Sequence, residues 1–114
     1  MGIEYYAQSG VHVFELEGCL DYCSALKVFE AVHPVLVKTG TRVLIELGNV
    51  NIISSMGYVV LLQFMKTARC VGSHIRFCNL QGVARESLEI MRYQDVDQAA
   101  ITREEALSRL QAVG

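Results

Sequence analysis

Along Val11-His12-Val13-Phe14-Glu15-Leu16-Glu17 apolar and polar positions alternate, the pattern of a half-buried strand. A shorter stretch, Tyr5–Gln8, precedes it across Ser9-Gly10 and can pair with it as a hairpin. After Gly18 the period changes. Ala25, Phe29, Val32 and Leu36 fall at helical spacing, with Ser24 or Asp21 as the N-cap. Pro34 removes a backbone donor and is expected to kink the last turns before Gly40 ends the element. Thr41-Arg42-Val43-Leu44-Ile45-Glu46-Leu47 reads as a central strand covered on both faces, and Gly48-Asn49-Val50-Asn51 as a polar loop.

Ile52-Ile53 then leads through Ser54-Ser55 into a long helical pattern. Gly57, Leu61, Phe64 and Ala68 mark its inner face, and Lys66 and Arg69 its wetter one. Gly72 closes this helix, and Ser73–Cys78 is a further strand with Ile75 and Phe77 on one side. Val83 to Met91 carries Ala84, Leu88 and Met91 in helical register, and a weak strand follows around Val96–Ala100. Thr102-Arg103-Glu104-Glu105 has the form of a capping box and opens a last helix with Ala106, Leu107, Leu110 and Val113. The order is β-β-α-β-α-β-α-β-α, an α/β arrangement with a mixed, largely parallel sheet and about four helices.

Composition narrows the function classes. The 114 residues read as one domain, 1–114, without repeats or linkers. Hydrophobic residues make up 52% and charged residues 19%, so a core can form. The net charge is −2, and no basic stripe of the kind that binds nucleic acid is present. The chain begins with neither the charged nor the apolar region of a signal peptide, and its longest apolar runs fall short of the roughly 18 residues of a membrane span. A soluble, cytoplasmic protein without membrane insertion is expected.

Cys19, Cys23, Cys70 and Cys78 form no CxxC pair, and no histidine stands at zinc-ligand spacing from them. They read as reduced structural thiols, and His12, His33 and His74 as scattered strand, helix and strand-edge residues. No metal or other cofactor is expected. Ser55 at a strand-to-helix turn lacks the G-x-S-x-G elbow of a hydrolase, and there is no Gly-rich phosphate loop. An enzyme, and with it any catalytic residue, is not expected.

Three stretches carry a family resemblance. Gly18-Cys19-Leu20-Asp21 is similar to a G-x-L-D turn, and Ser54-Ser55-Met56-Gly57 to a switch motif written D-S-S-G-L or S-S-A-G-L. Ala68-Arg69-Cys70-Val71-Gly72, followed by Ile75–Cys78 and Asn79, is similar to a K-x-A-R-x-x-G helix end and an L-x-N strand end. In this order the motifs resemble the STAS domain, named for sulfate transporters and anti-sigma-factor antagonists. The resemblance covers Tyr5 to about Leu110.

What the resemblance implies is a regulatory binding module of bacterial signalling and transcription control. In the antagonists a serine at this helix start is phosphorylated by a partner serine kinase of the GHKL type, the anti-sigma factor. The unphosphorylated form binds that partner and releases a sigma factor. Alignment on Gly57 places Ser55 at the phosphorylated position and Ser54 where aspartate is often found. Asp21 matches the acidic residue of the neighbouring loop, so Asp21, Ser54, Ser55, Met56, Gly57 and Tyr58 form the implied switch surface. Ser54, Met56 and Tyr58 depart from the usual residues, and Met56 reads more readily as a core plug than as part of a sticky surface. Alternatives are an accessory subunit of a transporter, lipid-transport or sensing complex that binds protein or a small ligand constitutively, and a homodimer paired through Tyr5 and Tyr6 on an edge strand.

Overall fold

The computed structural model describes residues 1–113. β1 (Gly2–Gln8) and β2 (Val11–Leu20) form an antiparallel hairpin, in register from Gly2 opposite Glu17 to Gln8 opposite Val11. Between them Ser9 and Gly10 have φ of 53° and 81°, the two left-handed positions of a tight hairpin turn whose twist matches that of its strands. α1 (Tyr22–Leu36), β3 (Arg42–Ile53), α2 (Ser55–Val71) and β4 (His74–Cys78) follow, then α3 (Gly82–Ile90), α4 (Val96–Ala99) and α5 (Arg103–Ala112). The sheet order is β1-β2-β3-β4, with β2, β3 and β4 parallel, which is the mixed, largely parallel sheet that the alternating pattern implies.

Strand alternation divides the core. Phe14, Leu16 and Leu20 of β2 and Val43, Ile45 and Leu47 of β3 point to one face, where Val28 and Val32 of α1 and Leu61 and Phe64 of α2 cover them. Each such Leu, Val or Phe buried contributes about 1.5–3 kcal/mol, so this face supplies most of the hydrophobic stabilisation. The other face holds Val11, Val13, Leu44 and Cys78 beneath Ala106 and Leu110 of α5. Here the Glu46 carboxylate is buried and saturated with donors. Asn79 Nδ2 lies 3.0 Å from both oxygens, the Gly48 N–H is at 2.9 Å and the Cys78 thiol at 3.2 Å. Arg103 of α5 adds an ion pair to Glu15 at 3.0 Å and sits 4.0 Å from Glu46, pinning the helix to the sheet. Desolvation, and Glu46 beside it, push the Cys78 thiol far above its ordinary range, so it stays protonated.

Several expectations are corrected here. The polar loop at Gly48–Asn51 is strand, because β3 continues to pair with β2 past its irregularities, Glu17 opposite Asn49 and Gly18 opposite Val50. Asn49 and Asn51 face solvent from this ribbon while Val50 faces the core, so polar residues there interrupt nothing. The weak strand expected around Val96–Ala100 does not form: Asn79 and Leu80, just past β4, donate to the carbonyls of Ile101 and Ala99, and the backbone of the segment turns as α4. Of the four cysteines, Cys78 is buried, while Cys19, Cys23 and Cys70 are exposed, which excludes a packing role for those three. α1 runs through Pro34 and ends two residues later, at Leu36.

Candidate functional site

The parallel strands β2 and β3 end side by side, Leu20 opposite Ile53, and each feeds directly into a helix. Asp21 caps α1 and Ser54 caps α2, and the Ser54 N–H donates to the Leu20 carbonyl at 2.9 Å. Two stretches more than thirty residues apart are thus joined at the carboxyl ends of parallel strands, where α/β folds place their sites. Gly57 makes the junction close. A Cβ there would lie 2.5 Å from the Leu20 carbonyl oxygen and 2.8 Å from its Cγ, so the first turn of α2 can rest on β2 only without a side chain.

The two caps differ. Asp21 accepts from the Ser24 N–H at 3.0 Å, and the Ser24 hydroxyl accepts from the Asp21 N–H at 2.9 Å, a reciprocal capping box. The Ser24 N–H bond is the main reason the Asp21 carboxyl is held below its usual range, so the group is a fixed negative charge. Ser54 makes one longer bond, accepting from the Gly57 N–H at 3.3 Å, and the first turn of α2 holds no acidic residue. Ser55 follows it, exposed, beside the unpaired N–H groups and partial positive charge of a helix start.

All six residues of the expected switch surface come together at this junction, with different exposures. Ser55 and Met56 are exposed, Asp21, Ser54 and Tyr58 half-buried, and Gly57 buried. Met56 is 38% exposed, which corrects its reading as a core plug: the Gly57 turn faces the core and leaves Met56 on the outer side. Tyr58 packs its ring against that of Tyr93, centroids 5.7 Å apart. Sequence reasoning missed the apolar surroundings. Tyr22 is 76% and Leu26 62% exposed on α1, and with Cys23, Phe29, Met56 and Val60 they line a groove of about 420 Å³ between α1 and α2. The signal was Leu26, one residue off the stripe of Ala25 and Phe29, since an apolar side chain outside the inner face of a helix has no core to enter. Among the described residues, no group of His, Cys, Asp and Glu could hold a metal ion, and no helix is long and apolar enough to cross a membrane.

A family model described as the STAS domain matches residues 2–106. The chain belongs to the STAS domain family. No curated protein matches it. Among solved structures, the anti-sigma factor antagonist SpoIIAA in its unphosphorylated form is similar with a TM-score of 0.78 at 15% identity, over 99% of this chain and 99% of that one. An anti-sigma factor antagonist from Mycobacterium paratuberculosis is similar with a TM-score of 0.79 at 18% identity, over 96% and 93% of the two chains. A sulfate transporter family protein from Wolinella succinogenes is similar with a TM-score of 0.73 at 16% identity, over 93% and 88%. At these identities the structures share the STAS fold, which the antagonists and the transporter-associated protein have in common.

Proposed function

We propose that this STAS domain is an anti-sigma-factor antagonist-like regulator that binds a GHKL-type kinase acting as an anti-sigma factor, and that phosphorylation of Ser55 switches the binding off. The observation that carries this reading is the position of Ser55. It is exposed at the start of α2, between a capping serine and Met56, whose exposed side chain lines an apolar groove with Tyr22 and Leu26. A surface of this kind fits a protein partner better than it fits solvent.

A phosphate on Ser55 would add about −1.5 to −2 charges near neutral pH. The N-terminus of α2 accommodates an anion at little structural cost. Asp21, already ionised and one strand end away, adds to the negative potential, so the phosphorylated surface repels an acidic partner face and is costly to desolvate against an apolar one. In this mechanism the domain does not refold; the interface is spoiled in place. Asp21, Ser54, Met56, Gly57 and Tyr58 shape the surface, and no catalytic step is assigned to any of them. Pairing of two copies through the open edge of β1 is a separate expectation, tested by sedimentation at rising concentration.

The experiment is co-purification from the source cell with tagged wild type, Ser55→Ala and Ser55→Asp, read by mass spectrometry, with phosphorylation mapped on the wild type. Capture of a GHKL-type kinase by wild type and Ser55→Ala, lost with Ser55→Asp, is the expected result. Equal capture of a transporter or membrane-complex subunit by all three would make this a constitutive accessory module instead.

A further inference from the structure

On the side of α2 turned toward the end of α3 lies a groove of about 580 Å³ whose chemistry differs from that of the apolar junction. Tyr58, Leu62 and Tyr93 form its apolar wall, and Lys66, Arg69 and Arg92 border it with positive charge. Arg85, Arg103 and Arg109 are engaged in ion pairs elsewhere, whereas no ion pair among the described residues involves these three cations. They face one carboxylate, Asp95, in a chain whose net charge is −2. Three of the seven Lys and Arg side chains that form no ion pair among the described residues border this one groove.

Arg92 provides a second, independent observation. It follows the C-cap of α3 with φ of 59°, its N–H donating to Glu89 and that of Tyr93 to Leu88, both at 3.0 Å. That left-handed position after a helix suits glycine, and a side chain there strains the backbone. Folding alone gains nothing from an exposed, unpaired arginine at such a place.

We propose that this groove docks an acidic segment of a partner protein, with carboxylates on Lys66, Arg69 and Arg92 and an apolar or aromatic anchor against Tyr58, Leu62 and Tyr93. A protein segment fits better than a small molecule because the groove lies open along α2 and continues into the exposed Val59 and Leu62. A small ligand is held by enclosure, which an open groove does not supply. By helical rise, Arg69 stands about 21 Å from Ser55, the span of a peptide. The proposal does not depend on Ser55 being phosphorylated.

The test is a titration of the full ¹⁵N-labelled chain, followed by amide shifts, with the acetylated and amidated peptide EDLFEELD, its all-lysine counterpart KKLFKKLK and inorganic pyrophosphate. The acidic peptide is expected to give saturable shifts around Tyr58, Lys66, Arg69, Arg92 and Tyr93 that weaken with added salt. Arg69→Glu and Arg92→Gly should each weaken it at least about tenfold. Arg92→Gly should unfold at the same temperature as wild type or higher, since it relieves the strained position. The proposal is overturned by shifts that do not saturate, by affinity unchanged in Arg69→Glu, by equal binding of the lysine peptide, or by pyrophosphate binding as tightly as the peptide. An Arg92→Gly protein that unfolds at a lower temperature would show Arg92 to be structural and remove that part of the argument, leaving Arg69→Glu to decide the rest.

Discussion

The starts of α1 and α2 lie side by side, joined by the Ser54–Leu20 hydrogen bond, yet they are built to opposite ends. At α1 both capping side chains are fully engaged: Asp21 and Ser24 cap each other, and the Ser24 hydroxyl also donates to the Cys19 carbonyl at 2.7 Å. That terminus carries its own permanent anion. At α2 the cap is one neutral serine with one long bond, and the next residue is an exposed hydroxyl. A helix start already neutralised has nothing left to offer an anion, whereas one left partly unsatisfied can receive a phosphate. The first is a structural clamp and the second has spare capacity, a difference that supports the proposed switch at Ser55.

This contrast can be broken by substitution, beginning where the two starts touch. Gly57→Ala forces a Cβ against the Leu20 carbonyl, and backbone cannot yield as a flexible side chain would. Chemical unfolding should register a loss of about 3 kcal/mol. A loss below about 1 kcal/mol would show that α2 does not need this close seat on β2.

Asp21→Asn comes next, read as unfolding midpoint against pH. The folded-state carboxyl titrates below its ordinary 3.8, so its contribution is present above that value and fades as pH falls through the lower folded-state value. Wild type should therefore exceed the variant at neutral pH, with the gap closing in acid; a pH-independent gap would mean that the charge of Asp21 is irrelevant to the cap. Ser54→Ala removes a neutral cap with one long bond and should cost about 1 kcal/mol at most, without that pH dependence. Ser55→Ala should be smallest, within about 0.5 kcal/mol of wild type in denaturant titrations. A larger loss would mean that Ser55 itself holds the helix, and the division between clamp and switch would fail.

Much of this arrangement was legible along the chain. Helical spacing located α1, α2 and α5, alternation located β2, and Gly72 marked the end of α2, because these signals rest on contacts within a few residues. The capping pair at α1 was readable for the same reason, although which of Asp21 and Ser24 is the cap depends on a backbone turn that the pattern leaves open. The end of β3 was not readable: Asn49 and Asn51 look like loop until β2 is placed beside them, since partner backbone, and not their own side chains, makes them strand. The segment around Val96 reads as a weak strand, although Asp97, Ala99 and Ala100 disfavour one, and it meets only the end of β4 and coils as α4.

Sequence by itself determined the places of α1, α2, α5 and β2, that one glycine closely follows the serine pair, and that the chain carries the motifs of the STAS family. Tertiary structure decided that Gly57 must be glycine, since the atom it would strike belongs to Leu20. It also decided that Met56, Tyr22 and Leu26 share an exposed rim and that Lys66, Arg69 and Arg92 share a groove. The first set follows from local periodicity and capping, whose causes lie within a turn or two of chain. The second depends on long-range packing, which brings together side chains from separate elements at distances that no local pattern encodes.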